Sequence, residues 1–108
     1  MKISELTVHG FEAIVCPDPE REIGGVYIGD LLSWVMGRAR EKQAWITIMS
    51  NLNVVAVASL IDLSAVIFAE GVRPDDDVIE VARSKGINLL LSPLPSYETA
   101  LRLSELLK

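Results

Sequence analysis

Cysteine and histidine are the scarcest chemical groups in this chain, with one of each, Cys16 and His9. A single cysteine excludes an internal disulfide, and one thiol with one imidazole cannot supply the usual ligand set of a zinc site. A Ser–His–Asp arrangement would have to use His9, which falls on an expected turn near the N-terminus, a poor place for triad geometry. Glycine motifs are missing too. No Gly-rich turn ends in Lys and Ser or Thr, and Gly24, Gly25 and Gly29 lack the spacing of a dinucleotide fingerprint. No metal, nucleotide cofactor or other cofactor is therefore expected.

Positive charge is also short. Ten Lys and Arg stand against fifteen Asp and Glu, for a net charge of −5. Nucleic-acid binding draws its affinity from a concentrated basic face. The densest basic stretch, Arg38, Arg40 and Lys42, is interrupted by Glu41 and reads as a solvated helix end. No nucleic-acid partner is expected. The longest apolar run, Val54 to Ile61, is far too short for a membrane span and meets Asp62. With no signal-peptide pattern ahead of the first elements, the expected setting is the cytoplasm, away from membrane.

Apolar residues, by contrast, are plentiful: half the chain, with a mean hydropathy of +0.35. At 108 residues the length suits one domain over residues 1–108. A domain of this size leaves much of its surface wet. Apolar side chains in excess of its own core lead us to expect a homo-oligomer.

The pattern of elements is that of an α/β domain. Ile3 to His9 suits a short helical turn with Ser4 as a cap, and Phe11 to Cys16 a strand broken by Pro17, Asp18 and Pro19. Val26 to Ile28 is β-branched and aromatic, as strands prefer. Asp30 is placed to cap a helix whose Leu31, Leu32, Val35 and Met36 recur at helical spacing and which continues to about Lys42. A strand over Trp45 to Ile48 follows. Ser50, Asn51 and Asn53 then offer caps to an apolar, Ala-containing helix over Val54 to Ile61. Ala65 to Phe68 is a continuous apolar strand.

The next helix is marked at both ends, by Pro74 at its first position with Asp75 to Asp77, and by Gly86 after Arg83 and Lys85. Ile87 to Leu91 is a strand, and Ser96 caps a last amphipathic helix through Leu107. Strand–helix alternation with strands apolar on both faces predicts a three-layer, mainly parallel sheet flanked by helices.

Few residues suggest chemistry. Cys16 is either a reactive thiol or a small buried residue, the commoner state of free cysteine. Trp34 and Trp45 suit an aromatic platform for a ligand, or packing in the core or against another subunit. Asp75 to Asp77 complement a helix dipole more simply than they hold a cation. The remaining signal is positional. Ligands of open parallel sheets bind beyond the carboxyl ends of the strands. Asp30, then Ser50, Asn51 and Asn53, then Glu70, then Ser92 follow four successive predicted strands. They are expected at one rim, as a ligand site or as caps and turns of their own connections. Hydroxyls, amides and two acids suit a small polar ligand, and disfavour a polyanion unless a metal intervenes.

The residues from Gly25 to Gly37, Gly25-Val26-Tyr27-Ile28-Gly29-Asp30-Leu31-Leu32-Ser33-Trp34-Val35-Met36-Gly37, resemble the DRTGG domain family, especially its stand-alone members. The likeness continues through Ala44 to Ile48, Leu52 to Ala58 and Ser92-Pro93-Leu94, and covers residues 11 to 107. The naming pentapeptide does not occur. Its counterpart is Glu20 to Gly25, where Arg21 and a glycine persist and the Asp does not.

The resemblance implies a fold similar to the N-terminal domain of HPr serine kinase. It also implies a regulatory role, since related domains accompany CBS pairs and phosphotransacetylase, and stand-alone members neighbour hydrogenase and redox operons. It implies no kinase activity, which needs a P-loop domain. The function expected is thus a non-catalytic regulatory or sensing module for a small polar metabolite or nucleotide. The alternatives are a structural interaction subunit of a redox enzyme complex, with a protein partner, and a small enzyme using Asp30 or Glu70 as acid or base.

Overall fold

A computed structural model describes residues 1–108. Five strands form one sheet in the order β1-β5-β4-β3-β2. Four are parallel: β2 (Val26–Ile28), β3 (Ala44–Thr47), β4 (Ala65–Phe68) and β5 (Leu89–Leu91). The first, β1 (Glu12–Val15), runs antiparallel against β5. The expected α/β architecture with a mainly parallel sheet is present.

Side-chain alternation builds the two cores. Trp45, Val66, Phe68 and Leu89 project to one face, where α2 (Leu32–Arg38), α3 (Leu52–Ile61) and α4 (Asp76–Lys85) cover them with Val35, Val54, Val55, Val57, Ala58, Val78 and Ala82. Ala44, Ile46, Ala65, Ile67 and Leu90 project to the other, against α1 (Ile3–Leu6) and α5 (Ser96–Leu106) through Ile3, Leu6 and Leu103. Burial on both faces is why these strands read as unbroken apolar runs. Each fully buried Leu, Ile or Phe adds about 1.5–3 kcal/mol. The chain order β2-β3-β4-β5 is also the spatial order, and the three intervening helices share one face.

Several boundaries differ from expectation, for physical reasons. Helix α2 ends at Arg38 rather than near Lys42. Ala39 turns extended and buries itself, Gln43 Oε1 accepts from the Arg40 N–H, and Lys42 is left-handed (φ 68°). Asp30 does not cap α2, whose N-cap position is Leu31. Helix α3 starts earlier than Val54 because Asn51 Oδ1 accepts from the Asn53 N–H; Ser50 and Asn53 are not its caps. Pro74 lies outside α4, whose N-cap position is Asp75. Ser96 is already inside α5, after Pro95.

At the N-terminal ends of the strands, residues 16–25 lace the sheet together. Asn88, buried just before β5, accepts from the Asp18 N–H and donates to the Asp18 and Ser64 carbonyls. Ser64 Oγ reaches the Glu22 and Lys42 carbonyls, and the Gly24 N–H donates to Lys42 as well. Arg21 closes the C-terminus of α3 by donating to the Asp62 carbonyl and pairing with its carboxylate at 2.8 Å. Asn88→Ala would leave buried backbone groups without partners, a loss of about 1–3 kcal/mol. Urea unfolding should show a lower midpoint at unchanged slope.

Candidate functional site

The carboxyl ends of β2, β3, β4 and β5 form a row along one edge of the molecule. Four adjacent strands span about 14 Å at the usual inter-strand spacing. With the strands in sequential order and α2, α3 and α4 on one face, the row has no reversal of winding between its strands, and so no switch-point crevice to draw it together. The six rim residues are spread along it accordingly.

Three of them do meet. Ser50, Asn51 and Asn53 line an open cavity of about 400 Å³ together with Leu52, Asp75, Asp77 and Val78. The walls are the first turns of α3 and α4, two neighbouring helices whose N-terminal N–H groups carry partial positive charge. Asp77 Oδ1 accepts from the Val78 N–H, and Asn51 Oδ1 from the Asn53 N–H. The Ser50 hydroxyl, the Asn53 amide and the Asp75 carboxylate make no side-chain hydrogen bond within the protein. No Lys or Arg lines the cavity. Asp75 and Asp77, read from the sequence as dipole complements more simply than as a cation site, are thus also walls of this cavity. The signal for them was Pro74 followed by three aspartates, which marks a helix start but says nothing of which neighbouring helix start lies beside it.

The other three stand apart. Asp30 is exposed at the end of β2, with one carboxylate oxygen accepting from Thr47 Oγ1 at 2.7 Å and from the Ile48 N–H at 2.9 Å. Thr47 is fully buried and accepts in turn from the Met49 N–H. Asp30 therefore ties the end of β2 to the end of β3. Glu70 is exposed and left-handed (φ 60°), and its N–H donates to the Leu94 carbonyl. Ser92 is only 2% exposed. Its Oγ shares a hydrogen bond with Thr99 Oγ1 and accepts from the Leu94 N–H, which fixes the turn into α5.

The two tryptophans do not form a pair. Trp45 is buried in the core with its indole N–H on the Gly29 carbonyl, while Trp34 is 52% exposed on α2 under the Arg38 guanidinium, 3.7 Å from its centroid. Cys16 is half-buried; burial, then the Asp18 charge, pushes its thiol pKa up, away from thiolate reactivity. The Glu20 to Gly25 segment lies at the N-terminal ends of the strands, opposite the cavity, where its hydrogen bonds are structural.

No family model matches the sequence, and no curated protein does. Among solved structures, the chain is similar to the CBS and DRTGG domains of the regulatory region of a pyrophosphatase from Clostridium perfringens, a structure in complex with the activator diadenosine tetraphosphate. The TM-score is 0.70 at 21% identity, over 93% of this chain and 44% of that one. The chain shares its fold with that regulatory region. It spans less than half of that protein's chain, and the DRTGG resemblance carried by the residues has its counterpart in the fold.

Two substitutions separate rim residues that hold the fold from those left open. Ser92→Ala should cost about 1–3 kcal/mol, because Thr99 and the Leu94 N–H lose a buried partner. Ser50→Ala should stay within about 0.5 kcal/mol. Chemical denaturation of both variants reads the difference. Iodoacetamide at neutral pH should label Cys16 more slowly in the folded chain than in urea, with a rate that climbs as pH rises above the usual thiol range, because only the thiolate reacts.

Proposed function

We propose that this domain is a regulatory, ligand-sensing module with no catalytic chemistry of its own, and that its ligand sits between the N-termini of α3 and α4. The observation that carries the reading is the convergence of Ser50, Asn51 and Asn53 with Asp75 and Asp77 around one cavity. The likeness to the regulatory region of the pyrophosphatase, solved with a nucleotide activator, supports the regulatory role.

The cavity chemistry narrows the ligand class. Two carboxylates and no basic side chain favour groups that donate hydrogen bonds, hydroxyls and amines, with amide and hydroxyl side chains to orient them. A polyphosphate chain would set its charges against Asp75 and Asp77. The ligand we infer is therefore a polyol, an amine or the sugar of a nucleoside, in contrast to the polyphosphate of the pyrophosphatase activator. Acid–base chemistry by Asp30 or Glu70 has no support of this kind, since both are exposed and neither lines the cavity. A purely structural interaction subunit is favoured by one feature, the exposed Leu31, Trp34 and Met36 at and within α2.

Thermal-shift and calorimetric titration with nucleosides, polyols and amines decides between these readings. At a hundred times Kd, a ligand specific for the folded state adds about 2.7 kcal/mol, a Tm rise on the order of 10 °C for a domain this size. Asn53→Ala and Asp75→Asn should abolish that rise while leaving the unliganded Tm within a few degrees. No response to any class, or an equal response in both variants, would overturn the reading.

A further inference from the structure

The two edges of the sheet are guarded unequally. Strand β1 carries a bulge between Ala13 and Val15, and an exposed Glu12 paired with Arg73. Bulges and charges are the usual devices that stop an edge from recruiting another strand. Strand β2, the opposite edge, has neither. No charged residue lies between Gly24 and Gly29, and Ile28 is 45% exposed.

Its backbone polarity is set by its pairing. The Gly25 carbonyl accepts from the Ala44 N–H, the Gly29 N–H donates to the Ile46 carbonyl, and Tyr27 lies opposite Trp45. In a parallel ladder this alternation turns Gly25, Tyr27 and Gly29 toward β3. The N–H and C=O groups of Val26 and Ile28 then face outward. On the α5 side the same two residues continue into an apolar groove of about 440 Å³, lined with them by Ala100, Ser104, Leu107 and Lys108.

We propose that a second copy of this chain pairs antiparallel along β2, with the two-fold axis at Tyr27, to make one ten-stranded sheet across a homodimer. The occupant is argued from self-complementarity. Antiparallel register about Tyr27 sets Val26 opposite the partner's Ile28, and Ile28 opposite the partner's Val26. All four outward N–H groups then meet all four outward carbonyls at once, as an isologous interface requires. Directly opposed side chains in such a pair share a face. Val26, Ile28 and their symmetry mates therefore form one apolar floor, and the α5 grooves of the two copies join across the axis.

Area sets the expected strength. A standard interface takes about 800 Å² from each partner, against 5496 Å² of accessible surface on this chain. Three residues of strand supply only part of that, and the α5 groove extends the surface. The dimer should thus be concentration-dependent, not obligate.

Sedimentation equilibrium on the whole chain tests this, from low-micromolar to millimolar protein. The mass should rise from 11.8 kDa toward twice that value. Ile28→Lys, at a half-exposed position, should weaken association at least about tenfold, the effect of 1.4 kcal/mol; Ala13→Lys, on the guarded edge, should associate as the parent does. In the unmodified chain, amide exchange at Val26 and Ile28 should slow as concentration rises, a readout independent of how the variants fold. A monomer throughout the range, association unchanged in Ile28→Lys, or exchange at Val26 and Ile28 independent of concentration would each overturn the proposal.

Discussion

The buried hydrogen bonds of Ser64 and Asn88 are the constraint on which the rest of this molecule depends. Parallel strands cannot be joined by tight hairpins, so their starts come from distant parts of the chain and need something to hold them level. Here Asn88 binds the backbone N–H and carbonyl of Asp18 and the Ser64 carbonyl, while Ser64 Oγ reaches the Glu22 and Lys42 carbonyls. Segments near residues 18, 22, 42, 64 and 88 are thereby gathered at one end of the sheet. That end is committed to structure, polar group by polar group, and no buried side-chain donor or acceptor in the molecule lacks a partner.

The proposed binding site lies at the opposite end, where the strands deliver their helices. Two of the rim residues are also committed there. Asp30 ties β2 to β3 through Thr47, and Ser92 fixes the α5 turn through Thr99. Between these two ties, the starts of α3 and α4 open a polar cavity whose side chains are under-used. The division is the one the proposed sensing role requires: a laced base that holds the strand starts together, and a row of loops on which a few side chains are free to meet a ligand. The Glu20 to Gly25 segment belongs to the base, where Arg21 closes α3 through Asp62.

Surface chemistry follows the same economy. The apolar excess noted in the composition is not all absorbed by the two cores, and part of it lies at the unguarded side of the sheet. Val26 and Ile28 border a groove along α5, and α2, which follows the same strand, carries Trp34 and Met36 into solvent. The arginine over Trp34 screens one ring face, a cation–π contact worth about 0.5–1 kcal/mol at an exposed site.

The amino-acid sequence by itself determined the class and most of the order of elements. Unbroken apolar strands such as Ala65 to Phe68 have no other stable home than a sheet covered on both faces, and the Pro74–Asp77 and Gly86 signals bracket α4 almost to the residue. Local chemistry also carried Asn51 as a cap of α3. Only the tertiary structure decided which polar residues share a site. Asp30, Glu70 and Ser92 look like Asn51 and Asn53 in sequence, each a polar residue after a strand. Their fates diverge because hydrogen-bond partners such as Thr47, Leu94 and Thr99 come from other strands and helices, at separations no local pattern encodes. Likewise Asp75 and Asp77 became cavity walls because α4 begins beside α3, a consequence of strand order.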